Sequence, residues 1–131
     1  MSIQYSEKIR NARLDLTFSP ENFSVIRVFT GPPPKTCDHP GTGTMLFEVV
    51  VLPGWFSPAY DGTKEGSGTL GSIAVASGKT GYFRAYDANG ACQVQGGAGY
   101  PGYPPILGFE NDKIVAGEVG LINRCRIHIS P

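Results

Sequence analysis

The sequence predicts a mostly β fold, a β-sandwich or jelly roll with one short N-terminal helix and long Pro/Gly loops. Short β-branched and aromatic runs recur along the chain, and Gly and Pro separate them. Helical spacing of apolar residues occurs only near the N-terminus. The 18 Gly and 11 Pro follow no repeat period, so they read as turns rather than as a low-complexity tract. With 131 residues, 40% of them hydrophobic, the chain is long enough for one core and short for two, so residues 1–131 are expected to form a single domain.

The helix is predicted over residues 5–16. Tyr5, Ile9, Ala12 and Leu16 fall at helical spacing, with Lys8, Arg10 and Arg13 elsewhere on the cylinder. Ser6 or Ser2 is positioned to cap its start, and Ser19-Pro20 stops its continuation. Such a helix either plugs one end of a sandwich or docks on a neighbour, and its stripe favours the first.

Strand signals then follow. Ser24–Thr30 is β-branched and ends at Gly31-Pro32-Pro33-Pro34, and Thr44–Leu52 is the longest apolar stretch, stopped by Pro53-Gly54. Ser72–Ala76 places Ile73 and Val75 on one face. Gly81–Tyr86 and Ala91–Gln95 flank Asp87-Ala88-Asn89-Gly90, a strong hairpin turn. In the simplest register Phe83, Ala85, Cys92 and Val94 face the core, while Tyr82, Arg84, Tyr86, Gln93 and Gln95 form a polar and aromatic face. Lys113–Ala116 and Arg124–Ile129 complete the set, the last with Cys125, Ile127 and Ile129 inward and Arg124, Arg126 and His128 outward. Two long loops remain, residues 31–43 and residues 96–111.

The chemistry-bearing patterns fail on context, so no catalytic, cofactor-binding or metal-binding residue is expected and the chain is not read as an enzyme. Gly66-Ser67-Gly68-Thr69-Leu70-Gly71 spells a dinucleotide-binding pattern, but a strand follows it where a helix is required. Gly78-Lys79-Thr80 has Ile73 where a phosphate-binding loop needs its first Gly. Cys37-Asp38-His39 gathers reactive residue types, but neighbours in sequence seldom reach nucleophile–base geometry, and Pro40 restricts His39 further. Cys37, Cys92 and Cys125 are odd in number and lack C-x-x-C spacing, so they are expected to be free thiols.

Eleven basic residues balance eleven acidic ones, and charged residues make up 17% of the chain, below the roughly 25% usual for soluble proteins. That balance argues against nucleic acid and membrane partners and favours association with other proteins. Arg124, Arg126 and His128 then read as a solvated or partner-facing stripe. No apolar run approaches the roughly 20 residues that span a bilayer. The opening residues lack the apolar core of a signal peptide, so synthesis and retention in a cytoplasm, or release by lysis, are expected.

Four segments carry a family resemblance: Tyr5-Ser6 through Asp15, Ile26–Gly31 followed by Pro residues and Cys37, Gly43–Glu48 leading to Leu52-Pro53, and Gly81–Asp87 before Asn89-Gly90. Together they resemble a family of small virion proteins of tailed bacteriophages and prophages, in particular the jelly-roll capsid cement or decoration proteins of short-tailed phages. The resemblance covers most of residues 5–95. It implies a protein made in the host bacterial cytoplasm and carried on the virion's capsid surface. There it would bind the major capsid protein as a homo-oligomer and stabilise the expanded head. It also implies contact through the N-terminal helix and the 31–43 and 96–105 loops. The partner-binding residues expected are Trp55, Tyr100, Tyr103, Pro33, Pro34, Arg124 and Arg126, with Trp55 equally placed to be core. A tail, neck or fibre component shares the same composition. A carbohydrate-binding module using Trp55, Tyr60, Tyr100 and Tyr103 is the alternative of a different class.

Overall fold

A computed structural model describes residues 3–66 and 68–129. Ser2, the second cap candidate, and Ser67, within the Gly66–Gly71 pattern, lie outside the described residues. In chain order the elements are α1 (Glu7–Thr17), β1 (Val25–Phe29), β2 (Met45–Val50), β3 (Thr63–Gly66), β4 (Leu70–Ile73), β5 (Gly78–Lys79), β6 (Tyr82–Tyr86), β7 (Cys92–Gly97), β8 (Leu107–Phe109), β9 (Lys113–Ile114) and β10 (Val119–His128). The mostly β class with one N-terminal helix is as the sequence predicts, and the antiparallel sheets are consistent with a β-sandwich.

The first sheet has the order β2-β1-β6-β7, antiparallel throughout. Its register sorts the side chains into two faces by period two. Val49, Ile26, Ala85 and Val94 lie across one row, and Phe47, Val28, Phe83 and Gly96 across the next. These rows face inward: Ile26, Val28, Phe47, Phe83 and Ala85 are fully buried. Burying the four larger of these side chains contributes about 1.5–3 kcal/mol each, an upper estimate that takes an extended chain as reference.

The second sheet is built around β10. Its C-terminal half pairs with β3, its N-terminal half with β4, and its middle with β8. Cys125 pairs with both Gly66 and Leu107, which puts β3 and β8 on opposite edges. β5 and β9 form a separate two-stranded ribbon. Between the sheets, Phe23 sits at the centre of an aromatic cluster. Its ring lies 5.1 Å from Phe18, 5.2 Å from Phe56 and 6.2 Å from Phe83.

The hairpin turn is held by its first residue. The Asp87 carboxylate accepts from the Asn89 and Ala91 N–H groups at 2.9 and 3.0 Å, and Gly90 takes the left-handed conformation at φ 85°. Past the turn the register departs from the simple expectation. Ala85 pairs with Val94 but Tyr86 pairs with Cys92, which leaves Gln93 as the extra residue of a bulge. One extra residue reverses facing, so Cys92 lies in the outer row with Tyr86 and not in the core with Phe83.

Other expectations are also corrected. The strand predicted over Ser72–Ala76 is β4, Leu70–Ile73, which starts and ends earlier, and Ile73 and Val75 both face water, at 57% and 66% exposure. β10 starts at Val119, five residues before the predicted strand. The polar stretch before the Gly66–Gly71 pattern is itself a strand, β3, so that pattern joins two strands.

Gly81, immediately before β6, sits against another stretch of backbone. Its N–H donates to Phe29 O at 2.8 Å, its carbonyl accepts from Ala98 and Tyr100, and an added Cβ would collide with the backbone of Gly31. Backbone cannot rotate aside as a side chain can, so Gly81→Ala is expected to cost about 1–3 kcal/mol. Urea unfolding of the two proteins measures the difference.

Candidate interaction surface

Helix α1 starts where Ser6 accepts from the Ile9 N–H at 3.2 Å, as an N-cap does. Its packed face differs from the expected one. The buried helical residues are Arg10 and Leu14, and Phe18 just beyond the helix is buried too. Polar side chains fix that orientation. Arg10 Nη1 donates to Ile129 O at 3.1 Å, Asn11 Oδ1 accepts from Gly62 N–H at 2.9 Å, and Asp15 Oδ1 accepts from Ala59 N–H at 2.9 Å. Asp15 also takes the Lys64 ammonium at 2.8 Å, a contact in which Lys64 is buried and Asp15 half exposed.

The apolar stripe therefore faces water. Ile9 is 45% exposed and Leu16 70%, with Ala12 exposed between them. Tyr5, immediately before the cap, is also exposed and carries the Arg13 guanidinium 4.8 Å above its ring. Apolar periodicity identified the stripe correctly but not its direction. The opposite face carries groups that pair with backbone N–H and C=O at one end of the second sheet, where β3 begins and β10 stops, and those partners decide the docking.

Concave surface flanks the helix end on both sides. A pocket of ≈ 280 Å³ is lined by Phe18, Phe23, Phe56, Val51 and Leu52, with Asp15 and Lys64 supplying charge. Leu16 and Thr17 line a second depression of ≈ 170 Å³ together with Asn22 and Val94. Leu16, the last residue of the apolar stripe, thus borders the second of these hollows.

The residues expected to bind a partner are not gathered in one place. Trp55 is 5% exposed and belongs to the core, its ring packed on Gly66 and 4.8 Å from that of Phe56, so its assignment to a contact surface is corrected. Tyr100 and Tyr103 are exposed in the β7–β8 loop, rings 6.0 Å apart and inclined at 53°. Arg124 and Arg126 lie on the outer face of β10, where Arg126 pairs with Glu65 at 3.1 Å.

Pro33 and Pro34 are half-buried in the 31–43 loop, which acts as a strap over the outer face of the first sheet. Pro34 O accepts from Gln95 at 2.7 Å. Thr36 O and His39 O both accept from Arg84 Nη2, at 3.1 and 2.6 Å. Farther along, the Tyr82 hydroxyl donates to Thr42 O at 2.6 Å and accepts from Thr42 N–H at 2.9 Å. The expected polar and aromatic face is thus largely covered by the chain itself: Arg84 is 3% exposed and Tyr82 fully buried.

Among the described residues no cluster of three or more His, Cys, Asp and Glu is placed to hold a metal ion, and no helix is long and apolar enough to cross a membrane. No protein-family model matches the chain, and neither curated proteins nor solved structures give a match.

The Asp15 carboxyl titrates below its usual range, chiefly because of the hydrogen bond from Lys64, with burial opposing and the Ala59 N–H adding to the effect. A folded-state value below the unfolded one stabilises the protein above about pH 4, and that stabilisation is lost as pH falls through the folded value. Asp15→Asn keeps the shape and removes the titration. Urea unfolding at neutral and at acid pH is expected to show a smaller acid-induced loss of stability in the variant than in the parent.

Proposed function

We propose that the chain is a structural protein of a tailed-phage particle that binds the outside of the capsid and cements neighbouring capsomers. One observation carries the protein-binding part of this reading. The best apolar stripe of the sequence, Ile9, Ala12 and Leu16 with Tyr5 beside it, is turned to water although the helix is firmly docked. Large apolar side chains on a fixed scaffold cost little ordering entropy when a partner covers them. The capsid as partner is supported by the resemblance of residues 5–95 to cement proteins and by a net charge of zero, which suits crowded association on a shell.

The mechanism is mass action. Binding only to the expanded, DNA-filled shell stabilises that shell by the binding free energy. Many copies, each gripping adjacent capsomers, then resist internal pressure through modest individual contacts. The carbohydrate alternative is weakened by the burial of Trp55 and by the tilt of Tyr100 against Tyr103, which offers no flat platform for a sugar ring.

Co-sedimentation with expanded heads, procapsids and isolated tails tests the proposal. The parent protein is expected to bind expanded heads alone. The doubly charged variant Ile9→Glu/Leu16→Glu, altered only at exposed positions, is expected to fold normally and bind at least about tenfold more weakly. Binding to tails but not heads would move the protein to the tail, neck or fibre class. Failure to bind any head form would end the cement reading.

A further inference from the structure

The three thiols are not equivalent. Cys125 is buried on β10, whereas Cys37 in the strap and Cys92 on β7 are both half-buried. Their placement follows from backbone features. The bulge at Gln93 turns Cys92 to the outer face beside Tyr86, in the row next to Arg84 and Gln95. The strap is pinned to that same pair of side chains through Pro34 O, Thr36 O and His39 O, and Cys37 lies between the last two attachment points. The Cys37 side chain lies near enough to act on the Cys92 thiol, which itself donates to Val94 O at 3.5 Å.

We infer that Cys37 and Cys92 form an oxidative cross-linking site, open in a reducing cytoplasm and closed to a disulfide by a small-molecule disulfide such as oxidised glutathione. The Cys37 thiolate attacks one sulfur of the reagent, giving a mixed disulfide and expelling a thiolate that takes up the proton Cys37 lost. Cys92 then gives up its proton, and its sulfur attacks the Cys37 sulfur and expels the second small thiolate. Two protein thiols are oxidised by two electrons, and one reagent disulfide is reduced to two thiols. Burial, with the adjacent Cys37 adding to it, pushes the Cys92 thiol up to about 12, which suits the resolving position over the attacking one. The bond would tie the strap permanently to the sheet it already covers and close a long loop in the unfolded chain.

Incubation with oxidised glutathione, followed by non-reducing peptide mapping, tests the site. The parent protein is expected to lose both thiol hydrogens, to yield a linked peptide joining Cys37 to Cys92, and to unfold at a temperature higher by roughly 5–10 °C. Cys125→Ser is expected to behave like the parent, whereas Cys37→Ser and Cys92→Ser give neither the linked peptide nor the shift. Accumulation of glutathione on Cys37 and Cys92 without an internal bond would overturn the inference, as would a cross-link through Cys125.

Discussion

The arrangement depends on how one short helix is held. Arg10, Asn11 and Asp15 reach the backbone at Ile129, Gly62 and Ala59, and Asp15 also receives Lys64 from β3. Each contact pairs a peptide group or charge, part-buried at Ile129, Gly62 and Lys64, so the helix cannot roll to bury its apolar stripe without breaking several of them at once. Leu14 and Phe18 complete the seat by packing into the Phe23 cluster. The outward stripe is therefore a consequence of polar satisfaction on the inward side. That trade is what gives the protein an apolar surface to offer.

A similar logic governs the strap. Arg84 on a central strand is a buried charge, tolerable only because Thr36 O, His39 O and Gln95 take its donors. The Pro-rich loop is thus needed by the sheet it covers, and its length reflects an internal task. Phe29 and Tyr82 stack at 4.9 Å beneath the same loop, so the strap shields an aromatic pair as well as a charge. The polar and aromatic outer face of the first sheet is thus largely covered by the chain itself.

Much of the fold was legible because β-branched runs and Gly/Pro breaks report directly on strands and turns. The β1 and β2 assignments follow from β-branched and apolar runs stopped by Gly31 and by Pro53-Gly54, and those of β6 and β7 from the Asp87–Gly90 turn between them. β3 was not legible: Thr63-Lys64-Glu65-Gly66 carries no apolar alternation, and the pairing of β10 holds it in the sheet. The face of Cys92 was hidden by a single bulged residue, which sequence alternation cannot reveal. For the candidate surface, the stripe of α1 was read correctly and its direction reversed, because apolar spacing records that a face exists and not which neighbour claims it. Trp55 was ambiguous for the same reason, with Pro53-Gly54 equally able to turn it outward or inward.

The orientation of α1 is open to direct measurement. Leu16→Cys and Leu14→Cys, each treated with a thiol-alkylating reagent and read by peptide mapping, report on opposite sides of the same helix turn. The account predicts rapid modification at position 16 under native conditions and modification at position 14 only on unfolding. Protection at position 16 with ready labelling at position 14 would contradict it.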